Sequence, residues 1–412
     1  MSDDTKSQPA HCEVLVVGAG PVGLSAALAL HARGHPVTIL EAEPEGRSRP
    51  GSRAVFLHKE SLKLLEQTVP GLGRRLAEHG LVWPTKRTLW KGHTVFVRHY
   101  PPPKPDELPP FTSLPQVEIE RYLLAACKDA QIPIVWDTSV SGVETSPEGA
   151  TVTTTSGQTW TVGYLVGADG SRSVVRQALG IPLEGSRTEN SYVVVDVAED
   201  PGKPLEIERA FHYEHPAMGG RNVLFVPFSG GWRIDLQCLD EDDPQELGGI
   251  EGVRRWLPRV MPASYADRIT WVSTYQFLQV IAQSFTDQHH RVLLVGEAAH
   301  LFAPFGARGL NSGIADVVAA ASAIDAALKA TNQADMQEAI EEFAQKRHAA
   351  AEYNRAAAGQ ALAHVQRRNL TMWTKRRIAA LLAPYWERAG IWLDSGPYGP
   401  RTGPGGKVSS KY

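Results

Sequence analysis

Residues 13–41 read EVLVVGAGPVGLSAALALHARGHPVTILE, and this stretch limits the fold more than any other part of the chain. Val14–Val17 is uniformly apolar, the pattern of a strand buried on both faces of a parallel sheet. Gly18, Gly20 and Gly23 follow as GxGxxG and open a helix rich in alanine and leucine. The first glycine permits a tight turn, the second lets backbone approach a pyrophosphate, and the third lets helix and strand pack closely. With Pro21 and Val22 in its first turn, the helix offers free N–H groups and partial positive charge to that diphosphate. A second strand ends at Glu41 and Ala42, and Glu41 lies 18 residues past Gly23, where an acid suits a ribose. The unit points to a dinucleotide without choosing between NAD and FAD.

Two later stretches follow the same plan. In YLVGADGSRSVVRQALG, residues 164–180, an apolar strand ends at Asp169-Gly170, and Ser173 is placed to cap a following helix. In VGEAAHLFAPFGARGLNSG, residues 295–313, a strand ends at Glu297 and runs through a proline and three glycines into an alanine-rich helix. A plain strand-to-helix connection needs only a few polar residues. Loops at the carboxyl ends of parallel strands converge on one crevice, so the three are expected to surround one ligand.

Composition sets broad bounds. The chain of 412 residues is 42% hydrophobic and 21% charged, as in ordinary globular proteins. A net charge of −3 gives no electrostatic case for nucleic acid or an anionic membrane. Cys12, Cys127 and Cys238 are too scattered to suggest a disulfide framework or a metal site. The polar start MSDDTKSQPAHCE does not resemble a signal peptide or an anchor, and a cytoplasmic protein is expected.

Together, GAGPVG at 18–23, GADGSRSVVR at 167–176 and GEAAHLFAPFGARGLNSGIAD at 296–316 resemble the three fingerprints of the class A flavoprotein monooxygenases. These are the p-hydroxybenzoate hydroxylase-like aromatic hydroxylases, which include phenol and nitrophenol hydroxylases. The resemblance covers most of residues 12–330. It implies FAD held by Gly18, Gly20, Pro21, Val22, Gly23, Glu41 and Ala42, with further contacts from Arg53, Gln116, Asp169 and Gly170. Glu297 stands where the family has an aspartate on the ribityl chain, a departure of one methylene that keeps the acceptor. Pro304, Gly306, Gly309, Leu310 and Asn311 resemble the wall beside the flavin ring. Amides and a helix N-terminus there would stabilise negative charge on reduced flavin.

The implied fold is α/β. A Rossmann-like FAD domain is built from 1–81, 111–185 and 290–330, with substrate-domain strands and a linker at 82–110. An antiparallel substrate-binding sheet is expected at 186–289, with C-terminal helices and an irregular tail over 331–412. Strand-like segments such as SYVVVDV, NVLFVPF, WRIDLQCL and TYQFLQVIA support that sheet. Within it, His212 resembles the position of a family tyrosine that helps deprotonate a phenol; the alternative is a strand histidine satisfied by a backbone carbonyl. Arg233 resembles a family arginine near the flavin, and Arg221, Phe225, Gln237, Tyr275 and Phe277 are pocket candidates by position. Pro304 joins His212 and Arg233 as a catalytic candidate, whereas His300 reads as a packing or hydrogen-bonding residue at the strand end. The basic residues near 367–377 read as a solvated helix face.

The function that the resemblance implies is a single-component monooxygenase using FAD, NADH or NADPH, and O2. It would hydroxylate a phenolic ring through a C4a-hydroperoxyflavin. The alternative is a flavin-dependent oxidoreductase, epoxidase or hydroxylase acting on a non-phenolic, polyketide-type substrate. Its partners would be a small aromatic molecule and O2, with a homodimer compatible; nucleic acid, membrane and metal are not expected.

Overall fold

In the computed structural model, residues 10–47, 55–104, 106–366 and 370–400 are described. The first sheet has at its centre five parallel strands, ordered Ile134–Val135, Val37–Leu40, Ala10–Val17, Thr159–Gly167 and Val292–Leu294. An antiparallel pair, Val140–Ser146 and Gly149–Thr154, branches from the start of Thr159–Gly167. Val14, Leu15, Val16, Leu165, Val166, Leu293 and Leu294 have no exposed surface, as continuous apolar strands covered on both faces must. Helices Pro21–His31, Gln116–Asp129 and Arg308–Lys329 pack with these strands in one apolar core.

Register places the three loops side by side. Val17 pairs with both Leu40 and Gly167, and Gly167 pairs with Leu294. Neighbouring strands lie about 4.7–4.9 Å apart, so the chains leaving these ends start as adjacent walls of one crevice.

The second sheet has eight strands, with Leu183–Ala198, Gly231–Gln237, Arg221–Phe228 and Glu208–His215 as consecutive neighbours at its centre. Residues 82–100 supply Thr85–Trp90 and His93–His99 at one edge. The expectation of a purely antiparallel sheet needs correction: Thr85–Trp90 runs parallel to Glu208–His215. That strand enters from the nucleotide domain instead of through a hairpin, so its direction is not tied to its neighbour's.

The tail expected to be irregular after Gly390 is ordered as far as it is described, to residue 400. Glu387–Ser395 is a helix followed by a single turn, Gly396–Tyr398, and Pro397 and Tyr398 are buried. Asp394 docks this segment: its carboxylate meets Lys86 Nζ at 2.9 Å and Arg98 Nη2 at 2.9 Å, while Lys86 donates to its carbonyl at 2.7 Å.

One buried carboxylate braces the third loop. Asp316, with no exposed surface, accepts from Gly296 N at 3.1 Å, meets His300 Nε2 at 2.7 Å and pairs with Arg347 Nε at 2.7 Å. Burial raises its pKa, but Arg347 and His300 outweigh that and hold it at about 2. Its folded pKa lies below the ordinary 3.8, so its contribution is present above that value and fades as pH falls through about 2. Asp316→Asn is expected to lose about 3–5 kcal/mol of stability near neutral pH, because it removes the negative charge paired with buried Arg347. Urea unfolding measures this, and a loss under about 1 kcal/mol would contradict the bracing role.

Candidate active site

The first loop is shaped by close approach. Gly18 has φ +102°, and a Cβ on Gly23 would lie 1.8 Å from the Gly18 carbonyl oxygen. No side chain caps helix Pro21–His31 at Gly20, which leaves its first N–H groups for a ligand. Glu41 accepts from Ala19 N at 2.5 Å and Glu43 N at 3.0 Å, and pairs with Arg47 at 2.8 Å. Burial pushes its pKa up, but those two N–H groups and Arg47 outweigh burial and keep it below the ordinary carboxylate value. A carboxylate offers about four acceptor positions, so one remains for a ribose hydroxyl. Ala42 opens the bend that follows.

In the second loop, Asp169 accepts from Ser173 Oγ at 2.5 Å and from Val175 N at 3.0 Å, while Ser173 Oγ accepts from Arg176 N at 3.0 Å. Burial raises the Asp169 pKa against these bonds. The carboxylate thus closes the turn after Gly170. Arg176 Nη1 donates to the Ala298 carbonyl at 3.0 Å, tying this loop to the third.

Glu297 stands in the single turn Gly296–Ala298, half-buried. Val22 of the first loop packs against the third: a Cβ on Gly313 would meet Val22 Cγ2 at 2.7 Å. Pro304 is exposed, and its carbonyl accepts from Ala307 N at 3.1 Å. Gly306 O lies 3.1 Å from His58 Nε2. Gly309 and Leu310 are in the first turn of helix Arg308–Lys329. Asn311 accepts from His58 N at 2.9 Å and donates to Phe56 O at 3.0 Å and Ala307 O at 2.7 Å, so its side chain fastens this loop to strand Val55–His58. Gln116 begins helix Gln116–Asp129 and donates to Glu120 at 2.9 Å. Arg53 lies outside the described residues.

Across from these loops stands one face of the second sheet. Phe305, from the third loop, meets Tyr192 and Phe277 with ring centroids 5.7 and 6.0 Å apart. Alternation and register extend that face to Val194, Asp196, Leu224, Phe211, Arg209, Arg233, Asp235 and Gln237. Tyr275 pairs with Tyr192 and shares the face. Two pocket candidates are corrected by the same parity. His212 and Phe225 point to the other side, with ring centroids 5.5 Å apart, and Phe225 joins Val195, Ile234 and Leu236 in the core behind the sheet. Burial, aided by His215, lowers the His212 pKa to about 4, which leaves it neutral. Arg221 is also diverted, pairing with Asp242 and donating to Met218 O at 2.9 Å. Gln237 accepts from Asn222 at 2.7 Å, and Arg233 grips Asp196 with bonds of 2.8 and 2.9 Å.

Sequence reasoning missed the covering residue. Tyr398 lies over the cations of this face, with Lys86 Nζ 3.8 Å and Arg209 4.2 Å from its ring centroid, and Arg308 Nη2 holds its carbonyl at 3.0 Å. Gly-Pro punctuation around SGPYGP hides such a contact.

The glycine cradle, uncapped helix and spare acceptor on Glu41 fit the diphosphate and ribose of FAD. A family profile described as FAD binding domain matches residues 11–358. The chain belongs to that FAD-binding family. Among its relatives, the 3-(3-hydroxy-phenyl)propionate/3-hydroxycinnamic acid hydroxylase of Mycobacterium avium is 29% identical over 74% of this chain and 53% of its own length. The dialkyldecalin synthase of Streptomyces rugosporus is 26% identical over 92% of this chain and 77% of its own. The chain thus spans about half the length of the hydroxylase. The p-nitrophenol 4-monooxygenase structure from Pseudomonas putida superposes with TM-score 0.77 at 21% identity, covering 95% of this chain and all of that one, and shows the same fold.

Gly23→Ala tests the cradle. The methyl group has no room beside the Gly18 carbonyl, so FAD affinity is expected to fall about tenfold or more. Flavin fluorescence titration reads the change, and an unchanged Kd would contradict the cradle.

Proposed function

We propose that this protein is a single-component, FAD-dependent monooxygenase that hydroxylates a small phenolic or related aromatic molecule with NAD(P)H and O2. The observation that carries this reading is the face-to-face arrangement of the three glycine-rich loops and the aromatic, polar face of the second sheet. Bound FAD, reduced by NAD(P)H, supplies an electrophilic oxygen from O2. The protein's part is to exclude water and orient the ring. Tyr192, Phe277 and Phe305 form a dry aromatic wall, and the segment ending in Tyr398 covers the strands beyond it. Gly18, Gly20, Gly23 and Glu41 hold the adenosine and diphosphate in this reading, while Gly296–Asn311 lies along the flavin.

Three free thiols and a need for NAD(P)H support a cytoplasmic location. Among the described residues no helix is long and apolar enough to cross a membrane. A second reading is a flavin-dependent oxidoreductase, epoxidase or hydroxylase acting on a non-phenolic substrate; the match to a dialkyldecalin synthase over 92% of the chain supports a substrate that is not a phenol.

The test is NAD(P)H oxidation by the purified, FAD-loaded protein over a panel of phenols. At least one phenol is expected to stimulate oxidation about tenfold or more and to yield a product heavier by one oxygen atom. A protein that binds no FAD, or whose oxidation no aromatic compound stimulates, would contradict the reading.

A further inference from the structure

The buried face beside the flavin loops carries polar atoms that the fold leaves unused. Asp235 Oδ1, the Tyr192 hydroxyl, Arg209 Nε and Nη1, and the Tyr398 hydroxyl are all buried without a hydrogen-bond partner. An unpaired buried polar atom is costly, and several on one face mark a place where something else completes the bonding. Asp235 sits mid-strand between Ile234 and Leu236, neither of which has exposed surface, yet Asp235 itself keeps some. That residual surface lies on the sheet face that Asp235 shares with Tyr192.

We propose that Asp235 takes the proton of the substrate's ring hydroxyl and that Arg209 holds an oxygen acceptor at the far end of the same molecule. This rests on the hydroxylase reading above and supplies the base that His212, on the opposite face, cannot. Asp235 pairs in register with Leu224, which pairs with Phe211, and Arg209 precedes Phe211 by two residues on the same face. Two strand intervals and two residues along the strand separate Asp235 from Arg209, about 12 Å between backbones. One aromatic ring and two side chains fill that span. The guanidinium keeps its Nε–H and an Nη1–H unpartnered on different edges, so each offers a single bond to an oxygen acceptor. The substrate class is thus a hydroxyaromatic compound with a second oxygen function across the ring.

In the step, the O–H bond breaks, its electron pair stays on the ring oxygen, and the proton goes to a carboxylate oxygen of Asp235. The ring becomes electron-rich; nothing is oxidised or reduced. Burial raises the Asp235 pKa to about 6, against Arg233 and Arg209 and aided by Asp196. Among the described residues, those three and Tyr192 are the titratable groups that act on it. Phenols ionise near pH 10, so complete transfer from an ordinary phenol is roughly ten-thousandfold uphill. Asp235 then serves as a general base in the transition state. With an acidic phenol such as 4-nitrophenol, the carboxylate beside the hydroxyl reads out as an upward shift of the probe's ionisation.

The experiment uses FAD-loaded protein and 4-nitrophenol, with phenolate absorbance followed by difference spectroscopy between about pH 5 and 10. The wild type is expected to hold the probe as the neutral phenol hydrogen-bonded to the carboxylate, with its ionisation midpoint about one unit or more above that of the free phenol, because a like charge beside it disfavours the phenolate. Asp235→Asn is expected to lose that upward shift, with affinity at low pH within about threefold of wild type. The same midpoint in both proteins, or no binding to the wild type, overturns the assignment. Removing a buried charge also makes Asp235→Asn at least as heat-stable as wild type near pH 7, so misfolding does not mask the result.

Arg209→Met is expected to weaken 3-hydroxybenzoate about tenfold or more while changing phenol by no more than about threefold, with recovery in Arg209→Lys. Equal losses for both probes, or none, overturn the role of Arg209. An Asp235-dependent shift of the probe's midpoint without any stimulated NAD(P)H oxidation sinks the hydroxylase reading but leaves this site standing. Normal turnover with an unchanged midpoint in Asp235→Asn does the reverse.

Discussion

The common register of Val17, Leu40, Gly167 and Leu294 is the constraint on which the rest of this molecule depends. Parallel strands that stop level release their chains at one edge, so loops separated by more than a hundred residues in sequence become neighbours without any loop seeking another. The side chains then make the meeting tight. Val22 fills the space that Gly296 and Gly313 leave, Arg176 reaches the Ala298 carbonyl, and Asp316 holds Gly296 from behind. A glycine-rich loop alone would be floppy; these contacts turn three of them into one rigid cradle.

The same physics explains what was legible in the sequence. Apolar runs ending in glycine announced the first sheet, because a doubly buried strand has little freedom in composition. The GxGxxG helix, the Asp169-Gly170 turn and the 296–311 loop were readable for the same reason, since each needs residues that little else can replace. His300 was also readable as a packing or hydrogen-bonding residue, and it is buried and bonded to Asp316.

The second sheet was harder. Alternation reveals strands, but a strand covered on both faces does not say which face meets the ligand, and one residue of parity separates His212 from Phe211 and Tyr213. Glu208–His215 is covered on one side by Phe225 and its neighbours and on the other by the C-terminal helices. The base position therefore could not be assigned from spacing. Nor could the cover: Asp394 and Tyr398 lie some three hundred residues from Lys86, the cation that both engage, and Gly-Pro punctuation disguises a docked turn as a tail. Long-range ion pairs leave no local pattern.

Hydrogen exchange with and without saturating FAD tests the convergence of the three loops most directly. If one flavin nucleotide spans the cradle, amides in 18–24, 168–175 and 296–311 gain protection together, at the same FAD concentration and to the same saturation point. Protection confined to 18–24, with the other two segments exchanging as before, would show that the loops are neighbours in the fold but not parts of one site.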